Sequence, residues 1–323
     1  MCIALLSTAH PDYALILIDN RDEYIDRPTG RAAWWPSPHS NVLGGRDLLR
    51  EVQGTWLGVT GSGKIAVLTN FRENVTPPPN AVSRGEIIKK FLTEDVGTTE
   101  DFVSSVVHTG VARDAGGFSL VCGRVGEQLA VVSNRAKDDA QVPWICGNVV
   151  QTVGLSNTYF GDRTWPKVID GERLALQAIQ EHKREGGTEQ QLVTSLLDVL
   201  SDDTLSRKKI NPEHGLEAHI YELRNTILVP PLGRKDVKKL KGDEIAAAKK
   251  DEVAEVLNTK EKVEETRRLG VSGIYATQKQ TVVLVRHDGK VRFVERTLFD
   301  EHSEPVDEKD GVVDITFQIE QDN

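Results

Sequence analysis

The chain has 323 residues, of which 28% are charged and 38% hydrophobic, a balance that excludes a disordered chain and leaves room for a large core. Lys plus Arg number 40 and Asp plus Glu 49, so the net charge is −9, which argues against a nucleic-acid binder and against broad adhesion to anionic lipid. Cys2, Cys122 and Cys146 have no CxxC spacing and make no disulfide framework, no run approaches a membrane-spanning helix, and the start lacks the basic region of a signal peptide, so a cytoplasmic setting is expected.

The N-terminal part reads as β-hairpins. Cys2 to Ser7 and Tyr13 to Ile18 are continuous apolar runs, as in strands covered on both faces, with turn-prone His10-Pro11-Asp12 between them. Asn20-Arg21-Asp22-Glu23 closes the second run. Thr55 to Thr60 and Lys64 to Phe71 are two further strands joined by Gly61-Ser62-Gly63. After Pro77-Pro78-Pro79, helices are predicted over Arg84 to Leu92, with Ser83 and Glu86 spaced as a capping box, and over Thr99 to Val107.

A second β block follows: Phe118 to Gly123, Gln128 to Val132 and a short strand near Val149 to Val153. Pro166 to Lys183 has helical apolar spacing and a Pro where its missing N–H costs least; Glu189 to Leu200 is a further helix. Ile274 to Thr277, Thr281 to Arg286 and Val291 to Arg296 read as strands, with Asp288-Gly289 as a turn. Residues 234–269 read as a charged, solvated helical insertion whose basic first part offers a transient membrane or protein contact, and 300–323 as an acidic, partly disordered tail. The order strands, helices, strands, helices, strands suits two antiparallel sheets packed together with helices outside.

Gly58 to Lys64 has the spacing of a phosphate-binding loop. Ile65 stands where the Ser or Thr ligand is needed, and a strand follows in place of a helix, so that reading is rejected. No histidine pair has zinc-ligand spacing. Cys2 is the most informative single residue. Removal of Met1 would place a thiol and an α-amine on one residue, and the amine could then serve as the base for that thiol; a small apolar residue opening a buried strand is the bland alternative. In an extended strand Asn20 and Asp22 share one face, and Arg21 and Glu23 the other. If the first two strands pair antiparallel, Asp22 lies near Cys2, where its carboxylate could hold an N-terminal ammonium or orient a polar substrate. Arg27 is a salt-bridge partner for that turn. Asn70 and Asn157 carry amide donors suited to an oxyanion, or simply end a strand and form a turn. Trp56 sits between Gly54 and Gly58, glycines that allow close backbone approach.

Taken together, Met1-Cys2, Asn20-Arg21-Asp22-Glu23 with Arg27-Pro28, Gly54-Thr55-Trp56-Leu57-Gly58, Leu68-Thr69-Asn70-Phe71 and Gly154-Leu155-Ser156-Asn157 resemble the NRDE-domain, or transport and Golgi organization protein 2, family over residues 1 to about 299. The resemblance implies a four-layer αββα sandwich like that of the N-terminal-nucleophile hydrolases, closest to their cysteine branch. By that resemblance Cys2 would be the nucleophile, Asp22 would hold the amine, Asn157 would help bind the oxyanion, and Asn70 would assist. Asn20, Arg21, Glu23, Arg27 and Trp56 would line a ligand pocket. One departure stands out: those amidases place an Arg a few residues before the Asp, whereas here Arg21 adjoins Asp22 and position 19 is Asp19. The family's associations imply Golgi organisation and secretion, and trafficking of haem or acyl-CoA-type lipid in cytosol, Golgi or mitochondria. No cofactor is required on this reading; haem would be cargo. Three functions follow as expectations: a carrier of such a ligand, a hydrolase of amide or thioester bonds with Cys2 as nucleophile, and a scaffold docking through the charged insertion.

Overall fold

The computed structural model describes residues 1–71, 82–109, 115–134, 136–205, 209–211, 214, 216–233, 273–300 and 302–320. The expected insertion at 234–269 and the Pro77-Pro78-Pro79 break lie outside the described residues.

The first run forms strand β1 (Ile3–Ser7), and the second, β2 (Tyr13–Tyr24), runs on through the whole Asn20–Glu23 segment. They pair antiparallel with Ile3 opposite Asn20. Two strands without an apolar sequence signal follow, β3 (Thr29–Trp34) and β4 (Val42–Asp47). Then come β5 (Leu57–Thr60), β6 (Lys64–Asn70), β7 (Phe118–Arg124), β8 (Gln128–Ser133), β9 (Trp144–Cys146) and β10 (Thr152–Leu155). The last three are β11 (Tyr275–Arg286), β12 (Lys290–Thr297) and β13 (Val312–Gln318). One sheet has the order β10-β1-β2-β11-β12-β13, the other runs β3 to β9 in sequence, and every pair of neighbouring strands is antiparallel.

Two expectations are corrected here. The two strands expected from Ile274 to Arg286 are one, Tyr275–Arg286; its polar middle is absorbed by a bulge between Thr277 and Lys279. Residues 312–318 are not a disordered tail: Val313, Ile315 and Phe317 alternate inward, pack on the core and add a sixth strand beside β12.

Burial sorts the apolar residues into layers. Leu15, Leu17, Val283, Val285, Val291 and Phe293 meet Leu43, Leu57, Val59, Ile65, Val67 and Val121 between the sheets. Outside the second sheet lie helices α1 (Arg84–Thr93) and α2 (Thr99–His108), which bury Ile88, Phe91, Phe102 and Val106. Outside the first sheet lie α3 (Pro166–Glu185) and α4 (Glu189–Leu200), which bury Ala175, Ile179, Leu192 and Leu196 against Ile16 and Ile18. The layer order is therefore helix, sheet, sheet, helix, the αββα sandwich that the resemblance implied. At about 2 kcal/mol per buried Leu or Ile side chain, these three apolar layers supply most of the driving force. The capping box expected at Ser83 does not form; Ser83 makes no side-chain cap bond, while Thr98 with Asp101 and Thr188 with Gln191 do form such boxes.

The space between the sheets changes character along β2. Beyond Leu15 and Leu17 the same face carries Asp19, Arg21 and Glu23. Asp19, Thr281 and Glu295 stand in one row across β2, β11 and β12, and Arg21, Lys279 and Thr297 in a second row. Lys279 Nζ donates to Glu295 Oε1 at 2.9 Å and to Thr297 Oγ1 at 3.0 Å. Both Asp19 carboxylate oxygens, Thr281 Oγ1 and Glu295 Oε2 are buried without a hydrogen-bond partner among the described residues.

Candidate functional site

The polar end of the sandwich opens into a cleft with a cavity volume of about 150 Å³. Seven of the nine expected site residues line it: Cys2, Arg21, Asp22, Glu23, Arg27, Trp56 and Asn70. Strand alternation explains the layout. Ala4 and Leu6 face the other sheet, so Cys2 does too, while Met1 turns to the helix side; on β2, Arg21 and Glu23 face the other sheet and Asp22 faces the helices.

Cys2 Sγ lies 3.5 Å from the Asp22 carbonyl oxygen, and Ser156 Oγ donates to the Cys2 carbonyl at 2.7 Å. Burial is the main cause that pushes the Cys2 thiol up to about 11; Asp22 and Asp19 add to the rise and the nearby α-ammonium opposes it. The resting group is a thiol. Asp22 does hold an N-terminal amine, but that of Met1: its Oδ2 lies 3.0 Å from the α-nitrogen. Thr277 Oγ1 donates to Asp22 Oδ1 at 2.6 Å, and the Met1 ammonium also donates to the Tyr275 hydroxyl. The Met1 side chain is packed with Leu223, Val229, Leu232 and Tyr275. Fully buried Lys167 donates to the Met1 carbonyl at 2.5 Å and lies 3.9 Å from Asp22 Oδ2. Burial lowers the values of both Lys167 and the Met1 amine, with Asp22 opposing the shift.

Arg21 spreads its guanidinium over the Trp56 ring, 4.6 Å from the centroid, and donates to Gln278 Oε1. Trp56 needs a neighbour without a side chain: a Cβ on Gly45 would stand 2.2 Å from its ring. Arg27 donates to Asp47 Oδ2 at 2.6 Å and approaches Glu23 at 3.8 Å. The departure noted at position 19 is real in space: the bulge beside Arg21 falls on β11, β2 stays regular from Leu15 to Tyr24, and Arg21 remains on the face opposite Asp22.

Two expected residues are not in the cleft lining. Asn20 faces the helices, where its amide donates to the carbonyls of Leu200 at 2.8 Å and Ile227 at 3.0 Å, so its expected ligand-binding role is withdrawn. Asn157 lies beside Ser156, whose carbonyl accepts from Thr69 Oγ1, and its amide oxygen is buried without a partner among the described residues. Sequence reasoning gave no site role to Tyr275 and Thr277, which lie in the late-strand motif Tyr275-Ala276-Thr277-Gln278 that also fits the family, and it missed Lys167, Arg50 and Arg84. Lys167 had a signal: it precedes Gly171, Ala175 and Ala178 on the buried stripe of α3, where a Lys is out of place. Among the described residues no group of His, Cys, Asp and Glu could hold a metal, and no helix is long and apolar enough to cross a membrane.

A family model described as "Transport and Golgi organisation 2" matches residues 1–300. The Transport and Golgi organization 2 homolog of Mus musculus is 32% identical over 59% of this chain and 66% of its own length, just under two thirds. The Transport and Golgi organization protein 2 homolog of Bos taurus is 30% identical over 88% of this chain and 87% of its own. Among solved structures, a C2A mutant of the conjugated bile acid hydrolase from Clostridium perfringens aligns with a TM-score of 0.40 and 10% identity, over 98% of this chain and 97% of that one.

Proposed function

The chain belongs to the Transport and Golgi organisation 2 family, and from that premise we propose that it is a carrier of a small apolar ligand with an anionic end, of the haem or acyl-CoA kind. The ligand would sit in the cleft lined by Cys2, Arg21, Glu23 and Trp56. The observation that carries this reading is the state of Cys2. Burial pushes its thiol up to about 11, and the Asp22 carboxylate beside it is already occupied by the Met1 ammonium. That arrangement suits holding better than attack. The cleft lining includes no His, Met or Tyr, so a haem would find only the Cys2 sulfur as a soft ligand among the described residues, in keeping with cargo that must be released. The same proposal places the protein in cytoplasm, exchanging cargo with Golgi or mitochondrial membranes.

The test is titration of the purified full-length chain with haem, followed by its absorbance, and with palmitoyl-CoA, followed calorimetrically. Saturable binding in the micromolar range, weakened by Trp56→Ala, is expected. Absence of saturation with either ligand overturns the carrier reading.

One observation favours a second reading, an amide or thioester hydrolase: Asp22 is placed to hold an N-terminal amine. Once Met1 was removed, the Cys2 amine would take the thiol proton, sulfur would form the acyl bond as the leaving group departs with that proton, and water would then release the acid. Intact-mass measurement of the protein from its native cell decides: a retained Met1 excludes this mechanism.

A further inference from the structure

The cleft's charges do not balance locally. Four arginines line it, Arg21, Arg27, Arg50 and Arg84, against three carboxylates, Asp22, Glu23 and Asp47. Each carboxylate is already engaged. Asp22 holds the Met1 ammonium at 3.0 Å, Asp47 holds Arg27 at 2.6 Å, and Glu23 lies 3.9 Å from Arg21 and 3.8 Å from Arg27. Arg50 and Arg84 are left with no carboxylate within ion-pair distance among the described residues; Arg84 has a single carbonyl partner, Gly117, at 3.2 Å.

The fold brings these two cations together by close backbone contact. Arg84 opens α1, and the start of that helix lies against the β4–β5 connection, where Thr55 N donates to the Gly85 carbonyl at 3.3 Å. A Cβ on Gly54 would stand 2.5 Å from the carbonyl carbon of Gly85, so only a glycine lets the helix start come this near. Ser83 at the N-cap lines the cleft and makes no side-chain bond to the helix. Burial lowers the value of Arg84; Glu23 opposes that fall, Arg27 and Arg50 add to it, and the net penalty on the charge is one that an anion would relieve. Guanidinium groups present paired donors that match carboxylate and phosphate oxygens.

We propose that Arg50 and Arg84, at the start of α1, form a subsite for the carboxylate or phosphate end of the cargo, with the apolar body directed towards Trp56 and Leu68. This rests on the carrier reading of the same cleft and adds the chemical class of its ligand. The subsite uses full guanidinium charge, so it distinguishes an ionised end from an esterified one.

The experiment compares haem, haem dimethyl ester and palmitoyl-CoA on the full-length chain, wild type, Arg50→Gln and Arg84→Gln. The two sources of anionic oxygen are thereby separated: haem brings carboxylates, palmitoyl-CoA brings phosphates, and the diester has neither. The expected result is that the wild type binds haem about tenfold tighter than its diester, the loss expected when one charge-assisted hydrogen bond is removed, and that each variant erases this difference. Arg50 is exposed, so Arg50→Gln tests the point without disturbing the fold. Equal affinity for haem and its diester, or variants that keep the wild-type ratio, overturns the anion subsite while leaving the carrier reading intact. If none of the three ligands binds, both fail.

Discussion

The carboxylate of Asp22 and the α-ammonium of Met1 meet at 3.0 Å in an almost fully buried setting, with the Nζ of Lys167 3.9 Å from the same carboxylate oxygen. Two cations thus depend on one anion. Replacing Asp22 by Ala strands both, and the loss of a buried pair's partner typically costs about 3–5 kcal/mol. Asp22→Ala is therefore expected to lower the urea midpoint sharply. A measured loss below about 1 kcal/mol, the range of an exposed pair, would mean that these charges are solvated and the buried cluster does not exist as described.

Cys2 offers a kinetic readout. With its thiol value at about 11, the reactive thiolate is scarce at neutral pH. Alkylation by iodoacetamide, mapped to Cys2 by peptide mass spectrometry, is expected to keep accelerating with pH up to about 11. A plateau near the ordinary thiol value of about 8.5 would show that burial and the neighbouring carboxylates do not act on it as argued.

Asp19 makes a prediction about pH with a definite sign. Burial, then Asp22 and Glu295, hold its value well above the usual carboxylate range, with Arg21 opposing. In the folded chain it keeps its proton where the unfolded chain has lost it. Its contribution is therefore full below the ordinary value of 3.8 and declines as pH rises from there until its own raised value is passed. The stability difference between Asp19→Asn and wild type should move in favour of the variant by up to about 1.4 kcal/mol per pH unit across that window. A difference that does not change with pH counts against a protonated Asp19.

Asn20 separates fold from site within one sequence motif. Its amide caps two buried carbonyls, Leu200 and Ile227, on the side away from the cleft. Asn20→Ala is expected to lower stability by about 1–3 kcal/mol, the cost of unpaired buried carbonyls, and to leave haem affinity unchanged in the folded protein. A variant of normal stability that has lost binding would return Asn20 to the site.

The hairpin of β1 and β2 was legible because continuous apolar runs flank a turn signal, and it brings Cys2 beside Asp22 as strand pairing requires. Helix α3 was legible from its periodicity, although its one polar intruder, Lys167, passed without notice. Strands β3 and β4 were not legible. They contain Gly30, Arg31, Gly44, Gly45 and Arg46, and two of those glycines exist for contacts made elsewhere: a Cβ on Gly44 would meet the Leu57 carbonyl oxygen at 2.5 Å, and Gly45 makes room for Trp56. Such needs are tertiary and leave no local pattern. The polar stretch Gln278-Lys279-Gln280 read as a break between strands for a related reason. Its partners, Arg21, Glu295, Thr297 and Arg296, come from other strands, so its burial is invisible until the sheet is assembled. Arg50 and Arg84 belong with these cases: they are far apart in sequence, and a glycine-to-glycine contact draws them to one cleft.

Strand β13 carries a practical consequence. The family match ends at residue 300, whereas Val312–Gln318 covers the outer rim of β12 and shelters Val291 and Phe293. A fragment cut at the homology boundary would present the amides and carbonyls of Lys290 to Arg296 as an open ladder above an uncovered apolar floor. Strands in that condition recruit their own kind, so the shortened polypeptide should sediment as assemblies while the full chain stays dispersed.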